Sequence, residues 1–186
     1  MTRVIDIGAS KREWRARAAS IAPTTATESA KVATTIREVL RRQDWTVVLT
    51  FLPMPGEVDL SPLRADTELI LAVTRTPDSG PLTIHLLEEP LERHRLGYLQ
   101  PRAEATPINP LGIEAVLVPG VLFARNGGRL GHGMGYYDAL LSSFHPRPYL
   151  IGATVDRRVV ESLPMTATDV WMDAVATETG FRESVG

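Results

Sequence analysis

Cysteine is absent from the sequence, and its absence removes several kinds of chemistry at once. There can be no disulfide, no thiolate nucleophile and no cysteine-ligated zinc. The histidines, His85, His94, His132 and His145, show no close metal-ligand spacing. A large charge of one sign is also missing: 20 Lys and Arg stand against 22 Asp and Glu, a net charge of −2. That balance argues against a broad electrostatic grip on nucleic acid. No long apolar run follows Arg3, so the start does not read as a signal peptide. The longest apolar run, Val47 to Met54, is broken by Thr50 and Pro53 and is too short to span a bilayer. Internal repeats and low-complexity segments are absent as well. What remains is 44% hydrophobic and 23% charged, the ordinary balance of a soluble globular chain. A chain of 186 residues can bury one core without a staple. The expectation is one domain over residues 1–186, cytoplasmic and monomeric, with small-molecule partners and neither nucleic acid nor membrane.

Two periodicities alternate along the chain. Ser10-Lys-Arg-Glu13 reads as a capping box that opens a short helix to about Ser20. A second helix is expected from near Thr27, with Ala33, Ile36, Val39 and Leu40 on one face. Thr46 to Leu52 is short, apolar and β-branched, a buried strand, and Pro53-Met-Pro-Gly56 ends it. Ser61-Pro62 reads as an N-cap followed by proline at the first helical position. Further strands are expected over Glu68–Thr74, Leu82–Leu87, Ala115–Pro119, Tyr149–Val155 and Asp173–Thr177. Helices are expected over Tyr136–Phe144 and Val159–Leu163. Leu96–Gly112, with three prolines and two glycines, reads as a long functional loop. The alternation of strands and helices predicts an α/β fold, a three-layer α/β/α domain with a largely parallel central sheet.

The segment Arg129-Leu-Gly-His-Gly-Met-Gly-Tyr-Tyr-Asp138 follows a buried strand and opens a helix. Gly131, Gly133 and Gly135 allow positive φ and a close backbone approach to a ligand. Amides at the start of the helix favour an anion, Arg129 supplies a fork suited to phosphate, and Asp138 can hold Mg²⁺ beside it. No G-K-[S/T] is present, so this is not a Walker loop. The spacing alone reaches a phosphate loop or a glycine-rich surface turn.

The residues carry more than their spacing. Val118-Pro-Gly-Val-Leu-Phe123, Gly127, Gly128 and the stretch Arg129 to Asp138 resemble the hallmark segment of the 5-formyltetrahydrofolate cyclo-ligase family, also called 5,10-methenyltetrahydrofolate synthetases. The resemblance runs from about Lys11 to Glu178. Lys11-Arg-Glu-Trp-Arg15 resembles the family's N-terminal nucleotide-binding helix. Pro55-Gly-Glu57-Val-Asp59 resembles the segment whose Glu contacts the pterin. Gly97-Tyr-Leu-Gln-Pro101, and the block Leu163-Pro164, Asp169, Asp173 and Thr177-Glu178, fall in the family's order. Departures stand at Ala124, where many members carry Asp, at Thr168, where His or Asn is common, and at Met134, where Gly or Lys is common.

The resemblance implies ATP-dependent cyclisation of 5-formyltetrahydrofolate to 5,10-methenyltetrahydrofolate, with release of ADP and phosphate. It implies ATP as co-substrate and Mg²⁺ as cofactor. Lys11, Arg129 and Tyr136 become the catalytic candidates. Lys11, Arg12, Arg15, Arg129, Gly131, His132, Gly133, Met134, Gly135, Tyr136, Tyr137 and Asp138 would bind ATP. Pro53, Glu57, Arg75, Gly133 and Tyr136 would bind the folate, and Asp138 and Asp169 the metal. The basic stretch from Arg93 through Arg102 is a solvated loop or a grip for the folate's glutamate tail. The departures at Ala124 and Thr168 motivate the alternative, a non-catalytic ATP- or folate-binding paralogue.

Overall fold

The computed structural model describes residues 9–88 and 90–185. In chain order the elements are α1 (Lys11–Ala18), α2 (Ala26–Arg42), β1 (Val47–Thr50), β2 (Ile70–Arg75), β3 (Thr83–Leu86), β4 (Leu91–Arg93) and β5 (Leu99–Pro101). Then follow β6 (Ala115–Val118), β7 (Leu122–Ala124), β8 (Arg129–Leu130), α3 (Tyr136–Ser142), β9 (Tyr149–Ala153), β10 (Val159–Val160), β11 (Ala174–Thr177) and β12 (Gly180–Glu183).

Seven strands form the central sheet in the order β12-β11-β9-β6-β1-β2-β3. The five inner strands run parallel, and the edges β3 and β12 pair antiparallel. The inner strands are apolar on both faces because both faces are covered. Alternate residues divide between two cores. Val48, Ala115, Leu117 and Ile151 face the side packed by α2, and Leu49, Val116, Val118 and Leu150 face the side packed by α3. This is the expected α/β architecture with a largely parallel sheet. No helix among the described residues is long and apolar enough to cross a membrane.

A second sheet, β10-β7-β8, is not evident in the sequence. Its strands are two or three residues long, too short for a period to register. The helix expected over Val159–Leu163 is not formed. Val159 and Val160 instead pair with Phe123 and Ala124, a pairing suited to β-branched residues, and the local helix is a 3-10 turn over Asp156–Arg158. Leu96–Gly112 is likewise not all loop, because Leu99–Pro101 pairs with Leu91–Arg93 as a hairpin. Ser61 is not an N-cap; it lies inside a 3-10 turn, Ser61–Ala65, that begins after Leu60.

Both long helices start as their sequences dictate. Ser10 and Glu13 form the capping box of α1, and Thr25 and Glu28 form that of α2. Trp14 and Ala18 of α1 pack with Leu122, Ala124 and Leu130 of the small sheet. This packing sets α1 beside the segment that follows β8.

Two outcomes are expected from these contacts. Phe123 is fully buried, and a Cβ on Gly152 would lie 2.4 Å from its ring. Gly152→Ala should therefore lower the unfolding free energy by about 1–3 kcal/mol through overpacking, read from the denaturant midpoint. Glu28 also pairs with Arg157 at 2.5 Å. Its carboxyl is pushed down from 4.5 to about 2, chiefly by Arg157 and then by the Thr25 amide and hydroxyl. A depressed carboxylate contributes stability present above its unfolded pKa and lost as pH falls through the folded one. Tm should fall between about pH 4.5 and about 2, and Glu28→Gln should flatten that part of the profile.

Candidate active site

The order of the central strands reverses direction beside β1. The chain moves from β1 outward to β2 and β3, then returns to place β6 on the other side of β1. Loops leaving the carboxyl ends of β1 and β6 diverge there, and such a switch point is where open α/β sheets bind ligands. A cavity of about 760 Å³ opens at this place, within the usual range for small-molecule sites.

One part of its wall is cationic. Lys11 and Arg15, four residues apart on α1, share one helical face and both line the cavity. Arg12 is one position further round the helix, exposed and off the wall. Arg15 Nε donates to the Gly131 carbonyl at 2.8 Å, binding α1 to the glycine segment. Lys11 Nζ donates to both oxygens of Asp169 at 2.5 Å. Burial pushes the Asp169 carboxyl up, but Lys11 and the amide and hydroxyl of Thr166 together hold it below the usual range.

Arg129 is buried rather than offered to solvent, with 4% of its side chain exposed. Its Nη1 donates to the Pro119 carbonyl at 3.3 Å and its Nη2 to Asp138 at 2.9 Å. Its guanidinium carbon lies 5.8 Å from the Tyr137 ring centroid, within cation–π range. Asp138 Oδ1 accepts from the Val170 amide at 3.2 Å, so Asp138 sits against the chain that carries Asp169. Tyr137 is held by burial, which pushes its hydroxyl pKa up, and by Thr74 Oγ1 at 3.5 Å.

The three glycines serve two purposes. Gly133 and Gly135 have φ of 101° and 71°, which non-glycine residues adopt at a cost. Gly131 does not have positive φ; a Cβ there would lie 2.8 Å from Arg129 Nη1. Met134 and His132 stand exposed. The helix that follows, α3, has seven residues, so close loop amides matter more here than a long dipole.

The opposite wall is built by the segment after β1. Met54-Pro-Gly-Glu57 is a tight turn closed by Glu57 N–H to the Met54 carbonyl at 3.0 Å, with proline second and Gly56 third at φ 89°. Glu57 then accepts from the Met54 amide at 2.9 Å and pairs with His132 Nε2 at 3.0 Å. The expected phosphate loop and the expected folate carboxylate are thus in direct contact. Pro53 lies outside the cavity wall, while Phe51, Leu52 and Met54 line it.

The β4–β5 hairpin supplies a further part of the wall, and its strand pairing is what the sequence did not show. Glu92 Oε1 accepts from Arg75 Nη1 and Gln100 Nε2, each at 2.9 Å. Tyr98 stacks on His94 at 4.5 Å and its hydroxyl meets Thr76 at 2.8 Å. Arg75 is therefore on the wall but tied to the hairpin. The sequence signal was Gly97, at φ 94°, between two short runs able to pair. Ala124 is fully buried in β7 and Thr168 is off the cavity wall, whereas the third departure from the family pattern, Met134, lines the cavity.

Arg129 should resist conservative exchange. Arg129→Lys loses the bridge between Pro119 and Asp138 and should cost about 1.5–3 kcal/mol of stability, measured by chemical denaturation.

Known proteins resemble this chain over most of its length. A model of the 5-formyltetrahydrofolate cyclo-ligase family matches residues 10–178. The 5-formyltetrahydrofolate cyclo-ligase of Escherichia coli (strain K12) is 31% identical over 139 residues, covering 70% of this chain and 76% of that protein. A probable 5-formyltetrahydrofolate cyclo-ligase of Caenorhabditis elegans is 37% identical over 71 residues, 36% of this chain and 34% of that protein. The solved 5,10-methenyltetrahydrofolate synthetase of Aquifex aeolicus superposes with a TM-score of 0.72 at 29% identity, covering 97% of this chain and 87% of that one. That of Mycoplasma pneumoniae shares the fold, with a TM-score of 0.69 at 17% identity, covering 94% of this chain and 99% of that one. The family match takes in α1, the Glu57 turn, the glycine segment and Asp169 together, and the chain belongs to the 5-formyltetrahydrofolate cyclo-ligase family.

Proposed function

We propose that the protein converts 5-formyltetrahydrofolate and ATP into 5,10-methenyltetrahydrofolate, ADP and phosphate. The observation that carries this reading is one cavity with two unlike walls. Lys11, Arg15 and the glycine segment face the wall formed by Phe51, Leu52, Met54 and Glu57. A polyanion and a flat heterocycle held there would meet where the walls join, at the His132–Glu57 contact.

The formyl oxygen is a poor leaving group. In this reading it takes the γ-phosphoryl group from ATP, and ADP leaves. N10 of the folate then attacks the activated carbon, the new C–N bond forms, and the C–O bond breaks with departure of phosphate. The N10 proton is lost to solvent. Such transfer depends on positioning and charge neutralisation and needs no protein nucleophile. Lys11 and Arg15 meet the phosphates, with Gly131, His132, Gly133, Met134, Gly135 and Tyr136 surrounding them. Glu57 orients the aminopyrimidine edge of the pterin, with Tyr136 and Gly133 beside it. Arg129 acts at one remove by fixing the loop, through its hold on Asp138 and Pro119. Arg12 and Pro53 lie off the cavity wall and take no direct part in this reading.

The donor set suits Mg²⁺. Asp138 and Asp169 both line the cavity and are linked through Val170, and Mg²⁺ typically takes one or two carboxylates with phosphates and water completing its shell. No cluster of three or more ligating side chains exists among the described residues, so nucleotide oxygens would have to complete the site. When bound, the ion would neutralise phosphate charge. In this reading the protein works as a cytoplasmic monomer on small molecules, without nucleic acid or membrane.

The wild-type protein should generate the near-ultraviolet absorbance of methenyltetrahydrofolate only with Mg-ATP present. No turnover on pure 5-formyltetrahydrofolate overturns the reading. Lys11→Ala should lower kcat/KM by about 10²-fold or more while the fold survives, the scale of losing one charge-stabilising donor. Arg129→Ala is a poorer probe, because it also removes a buried structural cation.

A further inference from the structure

Two ion pairs cross the cationic wall, and they differ in kind. Arg129 and Asp138 are rigidly held. The Arg129 side chain is 4% exposed, and its guanidinium is anchored separately to Pro119 and lies over Tyr137. Separating this pair would leave a buried cation uncompensated, which is strongly unfavourable. Lys11 and Asp169 are held differently. Lys11 is 27% exposed, carries a compact charge on a flexible stem, and among the described residues its ammonium meets only Asp169. Asp169 is 11% exposed and has a second set of partners, accepting the Thr166 amide and hydroxyl on Oδ2 at 2.6 and 2.9 Å.

Resting on the ATP-site reading above, we infer that the Lys11–Asp169 pair is an exchangeable lock that couples nucleotide binding to divalent-cation binding. In the free protein Lys11 and Asp169 neutralise each other. A nucleotide phosphate can recruit Lys11 only by leaving the Asp169 carboxylate, mostly removed from water, without its counter-charge. A divalent cation can recruit Asp169 only by displacing the ammonium. When both bind, the phosphate takes Lys11, the cation takes Asp169, and the cation also bridges to the phosphate. Each ligand removes the penalty that opposes the other, and by linkage the coupling is equal in both directions. The Arg129–Asp138 pair does not exchange and keeps the loop in place throughout.

The lock makes reciprocal predictions that a simple ligand role for either residue does not. Isothermal titration of the wild-type protein with ADP alone, Mn²⁺ alone, and ADP with Mn²⁺ should show each ligand tightening the other by about tenfold or more. Asp169→Asn keeps the Thr166 contacts and frees Lys11, so it should bind metal-free ADP more tightly than wild type and gain little from Mn²⁺. Lys11→Met frees Asp169, so it should bind Mn²⁺ alone more tightly than wild type. The inference is overturned if Asp169→Asn weakens or leaves unchanged the affinity for metal-free ADP, or if Lys11→Met leaves Mn²⁺ affinity where it was. It also fails if ADP and Mn²⁺ bind the wild-type protein independently, a result that leaves the ATP-site reading standing. If the wild-type protein binds neither ligand, the ATP-site reading fails and takes the lock with it.

Discussion

A guanidinium removed from water has to be paired, and the buried charge of Arg129 organises much of the site around that need. Asp138 supplies the counter-charge, the Pro119 carbonyl takes a second donor, and the Tyr137 ring lies over the group. Gly131 carries no side chain because a Cβ would sit 2.8 Å from Arg129 Nη1, and at Gly120 a Cβ would approach its stem at 3.4 Å. The glycine segment thus keeps its shape partly because an arginine behind it requires the room. This differs from a loop whose glycines serve only to approach a ligand, and only Gly133 and Gly135 combine that freedom with positive φ.

Around this fixed point the cavity is closed by contacts between distant parts of the chain. Arg15 reaches the Gly131 carbonyl across 116 positions, and Lys11 reaches Asp169 across 158. The small sheet makes both possible, because α1 packs on β7 and β8 and not on the central sheet. The hairpin β4–β5 forms a further wall through Glu92, which joins Arg75 to Gln100. The molecule therefore presents cations to the cavity with Lys11, Arg75 and Arg129 already paired to carboxylates. A ligand entering this site meets both existing ion pairs and Arg15, which among the described residues is held by a backbone carbonyl and not by a carboxylate.

Local chemistry made much of this legible from the sequence. The capping boxes at Ser10 and Thr25, the apolar face of α2, and the buried strands β1, β6, β9 and β11 follow from spacing over a few residues. The motif from Arg129 to Asp138 carried the family resemblance, and that resemblance, not the i, i+4 spacing, marked Lys11 and Arg15 as part of the site. The two-residue strands β8 and β10 carried no period to read. Val159 and Val160 read locally as a helix start, and their pairing with Phe123 and Ala124 makes them a strand.

Residue identity by itself determined the α/β layering, the absence of thiol chemistry, and the set of charged groups available to the site. It did not determine how those groups are partnered. That Arg129 is buried against Asp138, that Glu57 meets His132, that Arg75 is tied to Glu92 and that Lys11 is held by Asp169 were decided by the tertiary structure. The reason is physical. Helices and strands are selected by interactions among near neighbours in the chain, whereas a charge is paired by whichever opposite charge the completed fold brings within hydrogen-bonding distance.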